Sequence, residues 1–137
     1  MVTITLKARK ENIEPITEFI DRALEERGCP LRAQMQIRVA IDELVANISQ
    51  YAYPEGTGEV TVSFDFDETT RTAELTFTDS GIPYDPLKKE DPDVTLSAAE
   101  RPIGGLGIFL VRKTMDAMQY RRENGKNILT LVKKIPN

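Results

Sequence analysis

The sequence predicts an α/β fold, a two-layer sandwich in which a mostly antiparallel, mixed sheet carries helices on one face. Three segments alternate apolar and polar residues with a period of two, which is typical of half-buried strands. Two other segments repeat apolar residues at helical spacing. An Asn-Gly dipeptide near the end indicates one more hairpin. The resulting order, β-α-α-β-β-loop-α-β-β, favours one sheet with a helical layer on one side and a second face left open or covered by a partner.

The first half of the chain provides one strand and two helices. Residues 2–8 alternate as a strand, and Asn12 is expected to cap the first helix, which Gly28 and Pro30 end. A second helix is expected over residues 31–50, before the breakers Pro54 and Gly56. The apolar stripe of the first helix is Ile13, Ile16, Ile20, Ala23 and Leu24, and that of the second is Met35, Ile37, Ile41, Leu44, Val45 and Ile48.

The second half provides two hairpins and a third helix. Residues 60–66 and 73–77 alternate around a polar turn at 67–71, as an antiparallel hairpin does. Residues 79–105 hold four prolines and one short helix candidate at 94–100, and so long a loop is usually functional or mobile. A third helix is expected from about Leu106 to Asp116. Two strands, residues 117–122 and 127–134, then flank Asn124-Gly125.

Composition limits the function. The chain has 137 residues, which predicts a single domain spanning 1–137. Its 18 basic and 22 acidic residues give a net charge of −4, so we expect neither a nucleic-acid nor a membrane partner. The absence of His excludes Ser-His-Asp and Cys-His catalysis, and also His-ligated zinc. The single cysteine, Cys29, is expected to be a packing residue, and together with the absence of a long apolar run it favours a cytoplasmic location.

Three clusters are candidates for chemistry, and the first lies on the second helix. Glu43 and Asn47 are four residues apart and therefore share one helical face. A carboxylate and an amide oxygen one turn apart suit a hard cation such as Mg²⁺, which also keeps phosphate oxygens and waters. For this pair alone, a solvated polar helix face is the simpler alternative.

The second cluster, residues 79–86, directly follows a strand. The carboxylate of Asp79 is able to accept a hydrogen bond from an exocyclic amine, and Gly81 permits a close backbone approach or a positive φ. A strand-ending Asx turn followed by a loop is the alternative.

The third cluster runs from Arg101 through Gly104, Gly105, Leu106 and Gly107 into a helix. Glycine-rich backbone at a helix N-terminus favours phosphate binding through free N–H groups and the helix dipole. No Gly-Lys-Ser/Thr follows, so this is not a Walker loop, and no strand immediately precedes it as in a dinucleotide fingerprint. Tight helix packing is the alternative.

In this order and at this spacing, the three clusters resemble the GHKL or Bergerat nucleotide-binding fold of the histidine-kinase-like ATPase superfamily. Within it, the chain is most similar to the bacterial anti-sigma factor serine kinases. The similarity is carried by Glu43-x-x-x-Asn47-x-x-x-x-Ala52-Tyr53, by Asp79-x-Gly81-x-x-Tyr84-Asp85-Pro86 and by Gly105-Leu106-Gly107-Ile108. Three positions depart from the family pattern: Tyr51 stands where many relatives have His, Tyr84 where they have Phe, and Lys126-Asn127 follows Gly125 where a Gly-Thr pair is common.

The resemblance implies a role for each site residue. Asn47 would ligate Mg²⁺, and Glu43 would be the catalytic base toward a serine hydroxyl. Asp79 would bind the adenine amine of ATP or ADP, in a pocket shaped by Gly81. Gly104, Gly105, Leu106 and Gly107 would cradle the phosphates under a lid at about residues 87–104, and Arg101 would neutralise the γ-phosphate.

The resemblance also implies a biological role. The chain would be an ATP-Mg²⁺-dependent anti-sigma factor that sequesters a sigma factor and phosphorylates a STAS-type anti-anti-sigma protein on serine, a partner-switching control of transcription. It also suggests a homodimer. Two alternatives stay open: a nucleotide-binding or purely protein-interaction module without kinase activity, and an ATPase-type domain of another signalling system.

Overall fold

The computed structural model describes residues 1–88 and 106–137. It contains five strands, namely β1 (Val2–Lys7), β2 (Glu59–Asp67), β3 (Thr72–Asp79), β4 (Ala117–Glu123) and β5 (Lys126–Lys134). The three helices are α1 (Ile13–Glu25), α2 (Leu31–Asn47) and α3 (Leu106–Thr114). Short helical turns occupy Lys10–Asn12, Ile48–Ala52 and Pro86–Lys88, and the second of these is a π-helical turn. The elements follow the predicted order. The helix candidate at residues 94–100 and most of the expected lid lie outside the described residues.

The strands form one sheet in the order β1-β2-β3-β5-β4. Every pairing among the described strands is antiparallel, which confirms the predicted sheet. The order places β5 beside β3, although the two strands lie far apart in the sequence. As a consequence Asp79, the last residue of β3, lies opposite Val60 on one side and Asn127 on the other.

The core lies between the sheet and the helices. The alternating residues of the central strands and the stripes of α1 and α2 are buried or partly buried as predicted, with one exception: Met35 is 47% exposed, because it faces outward between α2 and α3. The opposite face of the sheet is polar, and hydroxyl groups bond across it, as between Thr5 and Thr61 (2.9 Å). The largest fully buried side chains are Ile16, Ile20, Leu24, Ile37, Ile41, Leu44, Phe64, Leu75, Phe77, Ile108, Leu131 and Ile135.

The ends of α1 and α2 agree with the sequence except at two places. The side chain of Asn12 does not cap α1, because its amide donates instead to the carbonyl of Lys7 at the end of β1 (2.9 Å). Gly28, with φ of 68°, ends α1 as expected. The second helix, predicted to reach residue 50, is regular only to Asn47 and then widens into the π-helical turn. Such turns occur often at functional sites.

The last hairpin and α3 are positioned by local chemistry. Asn124 (φ 52°) and Gly125 (φ 75°) both adopt the left-handed conformation that a two-residue type I′ turn requires. Helix α3 ends two residues earlier than predicted. The ammonium of Lys133, on the core side of β5, donates to the carbonyl of Thr114 in the last turn of α3 (2.6 Å). A positive charge at this place suits the negative end of the helix dipole. Cys29 is partly buried against the core, as predicted, and burial raises the pKa of its thiol.

No helix in the described parts of the chain is long and apolar enough to span a membrane.

Candidate functional site

The Glu43–Asn47 pair is formed as the spacing predicts. The amide Nδ2 of Asn47 donates to Oε1 of Glu43 over 3.0 Å. Glu43 is half-buried and Asn47 is only 6% exposed, so a solvated helix face does not describe this pair. Because the amide nitrogen is turned toward Glu43, the Oδ1 atom of Asn47 faces away from that bond. A carbonyl oxygen held in this way has the donor chemistry that Mg²⁺ prefers.

Gly107 brings α3 into direct contact with Glu43. A Cβ atom at position 107 would overlap the carboxyl group of Glu43. Gly107 therefore allows tight helix packing, which was the alternative interpretation of the glycine run. This packing places the first turn of α3 beside the Glu43 carboxylate. Leu106 begins α3, whereas Arg101, Gly104 and Gly105 lie outside the described residues.

Asp79 is a buried carboxylate at the end of β3, with 4% of its surface exposed. Its Oδ1 accepts hydrogen bonds from the backbone N–H of Gly81 (2.9 Å) and from the amide of Asn127 (2.8 Å). The first bond is an Asx turn, so this alternative interpretation is also present in the structure. Burial raises the pKa of Asp79, and these two hydrogen bonds and the charge of Arg122 oppose that rise.

The segment that follows, residues 79–85, is termed here the Asp79 loop, and the end of α2 anchors it. Gly81 lies so close to Ala52 that a Cβ atom would overlap the Ala52 carbonyl. Glycine is therefore needed here because the two backbone segments approach closely. That carbonyl accepts the N–H of Ile82 (2.9 Å). The hydroxyl of Tyr53 accepts the N–H of Ser80 (2.8 Å) and donates to the carbonyl of Glu59 (2.8 Å). The Ala52-Tyr53 pair of the sequence motif thus holds the loop.

Two further residues hold the Asp79 loop from the other side, and neither belongs to the three clusters predicted from the sequence. Arg122 on β4 donates to the carbonyl of Gly81 (2.8 Å). Asn127 on β5 bonds to Asp79 itself. A sequence signal for Asn127 exists: it is a polar residue in the inward-facing register of β5, where Leu129 and Leu131 follow. This polar residue in an inward-facing position indicates a contact with Asp79 only once the order of the strands is known.

A small cavity joins the first two clusters. It measures about 20 Å³, which is room for about one water molecule. Its wall includes both Asn47 from α2 and Asp79 from β3, so the structure brings these two predicted residues to one cavity. Tyr84 of the Asp79 loop lines it and stacks on Tyr51, with 4.9 Å between ring centroids. The remaining lining residues are Leu44, Ile48, Phe77, Pro86, Tyr120, Asn127 and Leu129.

Comparison with known proteins identifies relatives over most of the chain. The family model described as "Histidine kinase-like ATPase domain" matches residues 6–133. A serine-protein kinase RsbW of Bacillus mycoides is 33% identical over 132 residues, covering 93% of this chain and 81% of that protein. A serine/threonine-protein kinase BtrW of Bordetella bronchiseptica is 31% identical over 100 residues, covering 73% of this chain and 70% of that protein.

Other matches are shorter or more distant. For a serine-protein kinase RsbW of Bacillus cereus, the match is 32% identical and covers 68% of this chain but only 59% of that protein. Among solved structures, the RsbU and RsbW domains of a Mycobacterium tuberculosis protein align with a TM-score of 0.64. That alignment covers 98% of this chain and 33% of that chain at 14% identity, so it supports the fold alone.

Proposed function

Because the chain belongs to the histidine kinase-like ATPase domain family, we propose that it binds ATP beside Asp79 and transfers the γ-phosphoryl group to a serine hydroxyl of a partner protein. The observation that carries the proposal is the arrangement around the end of α2. There the Glu43–Asn47 pair contacts the start of α3 on one side and the cavity of Asp79 on the other.

The base of the nucleotide is assigned to the Asp79 side. A buried, hydrogen-bonded carboxylate is a strong and directional acceptor for an exocyclic amine. Both bonds that Asp79 accepts from Gly81 and Asn127 end on Oδ1, so Oδ2 is the atom assigned to the amine. Because the cavity is small, binding of the base requires it to widen.

The phosphates are assigned to the α3 side. The first turn of α3 presents backbone N–H groups and the positive end of the helix dipole. Gly107 belongs to that turn, and we assign Gly104, Gly105, Leu106 and Arg101 to the same phosphate site, as the resemblance implies. Bound Mg²⁺ would neutralise phosphate charge, and Asn47 is the residue that would hold it.

Glu43 is assigned as the catalytic base. The serine oxygen forms a bond to the γ-phosphorus as the bond to the β,γ-bridging oxygen breaks, ADP leaves, and the hydroxyl proton passes to the Glu43 carboxylate. Most of the rate enhancement in such a reaction comes from positioning and charge neutralisation. The hydrogen bond from Asn47 holds Glu43 in place for this step.

The biological role that we propose is that of an anti-sigma factor. The relatives named serine-protein kinase RsbW support the protein kinase activity. The remaining parts of the role follow the family resemblance of the sequence: the chain would bind a sigma factor and phosphorylate a STAS-type anti-anti-sigma protein, as a homodimer in the cytoplasm. Phosphorylation of the antagonist would then decide which partner is bound.

Glu43→Gln tests this function. The Gln carbonyl is still able to accept the Asn47 bond, so nucleotide binding should be unchanged within about threefold. Transfer to the protein substrate should fall by roughly 10²–10⁴-fold, the typical contribution of a positioned base. The assay is transfer of labelled phosphate from ATP, beside calorimetric titration with ADP.

Glu74→Gln is the matched control, because Glu74 is an exposed carboxylate on the open face of β3. It should transfer at the wild-type rate. Equal rates for both variants would remove Glu43 from the chemistry, whereas nucleotide binding without any transfer by the wild-type chain would favour a non-catalytic binding module.

A further inference from the structure

Asn127 makes four hydrogen bonds within the site, and the proposed mechanism gives it no role. We propose that it is a positioning residue for nucleotide recognition, which orients the Asp79 carboxylate and the Asp79 loop for the base. This inference rests on the proposed function, because it presumes that Asp79 contacts the base.

The amide of Asn127 is fully used. Its Nδ2 donates to Oδ1 of Asp79 (2.8 Å) and to the carbonyl of Ile82 (2.8 Å). Its Oδ1 accepts the backbone N–H of Tyr84 (3.2 Å) and the hydroxyl of Tyr120 (2.5 Å). An asparagine side chain offers two donated hydrogens and two acceptor lone pairs, so no capacity is left over.

This pattern also fixes which way the amide faces. A flipped amide would turn its oxygen toward the Asp79 carboxylate and the Ile82 carbonyl, both of which are acceptors. It would turn its NH₂ group toward the N–H of Tyr84, which is a donor. With only 4% of Asn127 exposed, water cannot readily replace these partners. The donor therefore always faces Asp79.

The consequence for Asp79 is both geometric and electrostatic. The bond from Asn127 directs one carboxylate oxygen along the sheet and away from the assigned amine contact. It also favours the ionised carboxylate, which is the better acceptor, against the effect of burial on its pKa. Within residues 1–88 and 106–137, the charged or titratable groups that interact with Asp79 are Arg122 and Tyr120 on β4 and Tyr53 after α2. The two tyrosines stay neutral near pH 7, because the ordinary pKa of tyrosine is about 10 and burial raises it further.

Two substitutions with opposite pH signatures test this role. Asn127→Asp replaces the donor by a second carboxylate of the same shape. At pH 7.5 ADP should bind roughly 10- to 150-fold more weakly, the value of a hydrogen bond to a charged group. At acidic pH the affinity should recover, because one shared proton between the two carboxyl groups restores a donor to Asp79. Wild-type affinity should instead fall or stay level on acidification.

Asn127→Thr keeps one hydroxyl donor and serves if the Asp variant does not fold. It should bind ADP within roughly tenfold of wild type. The pH at which its affinity declines should be higher, because a weaker hydrogen bond lets the pKa of Asp79 rise. The measurements are calorimetric titrations of the full chain with ADP and Mg²⁺ from pH 5.5 to 8, with thermal unfolding to establish folding.

Asp79→Asn separates the two levels of the proposal. If it binds ADP as tightly as wild type, the assignment of Asp79 to the base fails. If it binds weakly while a folded Asn127 variant keeps wild-type affinity and pH dependence, the positioning role of Asn127 alone is refuted. A folded Asn127→Asp variant with weak binding at every pH would also refute it, because restoring a donor by protonation would then have no effect on binding.

Discussion

Replacing Asp79 by Asn should weaken nucleotide binding without weakening the apo fold. The two bonds that end on Oδ1 of Asp79 come from donors, so the carbonyl oxygen of an asparagine is able to accept both. What the substitution removes is a negative charge that is only 4% exposed. Loss of a charge-assisted contact to the base should cost about 1.5–3 kcal/mol of binding free energy, or roughly 10- to 150-fold in the ADP dissociation constant.

The effect on stability depends on pH, and its sign follows from burial. Burial, the largest influence on this group, raises the folded-state pKa of Asp79 above its value in the unfolded chain. Ionising it therefore costs folding free energy above the folded-state pKa, and this cost disappears as the pH falls below the unfolded value. The midpoint of Asp79→Asn should thus equal or exceed that of wild type at pH 7, and the difference should shrink on acidification toward pH 4. Each 1 kcal/mol corresponds to about 3–4 °C in a chain of this size.

Thermal unfolding of both chains from pH 4 to 8, with and without ADP and Mg²⁺, measures the two effects together. Asp65→Asn is the control, because Asp65 is an exposed carboxylate on β2. The unfolding midpoint of this variant should follow that of wild type at every pH, with and without nucleotide. A midpoint for Asp79→Asn several degrees below wild type at pH 7 would mean that the carboxylate stabilises the apo fold. The reasoning from burial would then be wrong.

Two further substitutions probe the anchoring of the Asp79 loop. Gly81→Ala should destabilise the fold by about 1–3 kcal/mol and weaken ADP binding, because its Cβ atom meets backbone that cannot yield. Gly56→Ala, which adds a Cβ atom in open space, is its control, and equal unfolding midpoints for the two would contradict the close approach. Tyr53→Phe should lower the midpoint by about 3–12 °C, since two hydrogen bonds of about 0.5–1.5 kcal/mol each are lost. An unchanged midpoint in differential scanning calorimetry would show that water replaces the hydroxyl at no cost.

Local pattern was enough for most of the fold. Strands and helices follow from alternation and helical spacing, and the Glu43–Asn47 contact follows from a separation of four residues. Asn12 was assigned wrongly because its amide donates to the carbonyl of Lys7, five residues earlier at the end of β1, and the helix-capping pattern does not take that competing acceptor into account. Met35 was assigned wrongly because the apolar stripe of α2 is wider than the surface that the sheet covers.

Residues that act across the sheet could not be found in this way. Asn127 reaches Asp79 only because β5 inserts beside β3, and nothing within either segment specifies that neighbour. The same holds for Tyr53, whose partner Ser80 lies 27 residues away. The sequence shows the residues of the motif, but it does not show the tertiary contacts that bring them together in one site.

The three departures from the family motif become intelligible once those contacts are known, because they form one connected series. The ring of Tyr51 stacks on the ring of Tyr84. The backbone N–H of Tyr84 donates to Asn127, and Asn127 donates to Asp79. Tyr51 and Tyr84 contact each other through their rings, whereas Tyr84 contacts Asn127 through its main chain. In this chain the three positions therefore lie in one connected cluster beside Asp79, so departures that are separate in the sequence belong to a single structural unit.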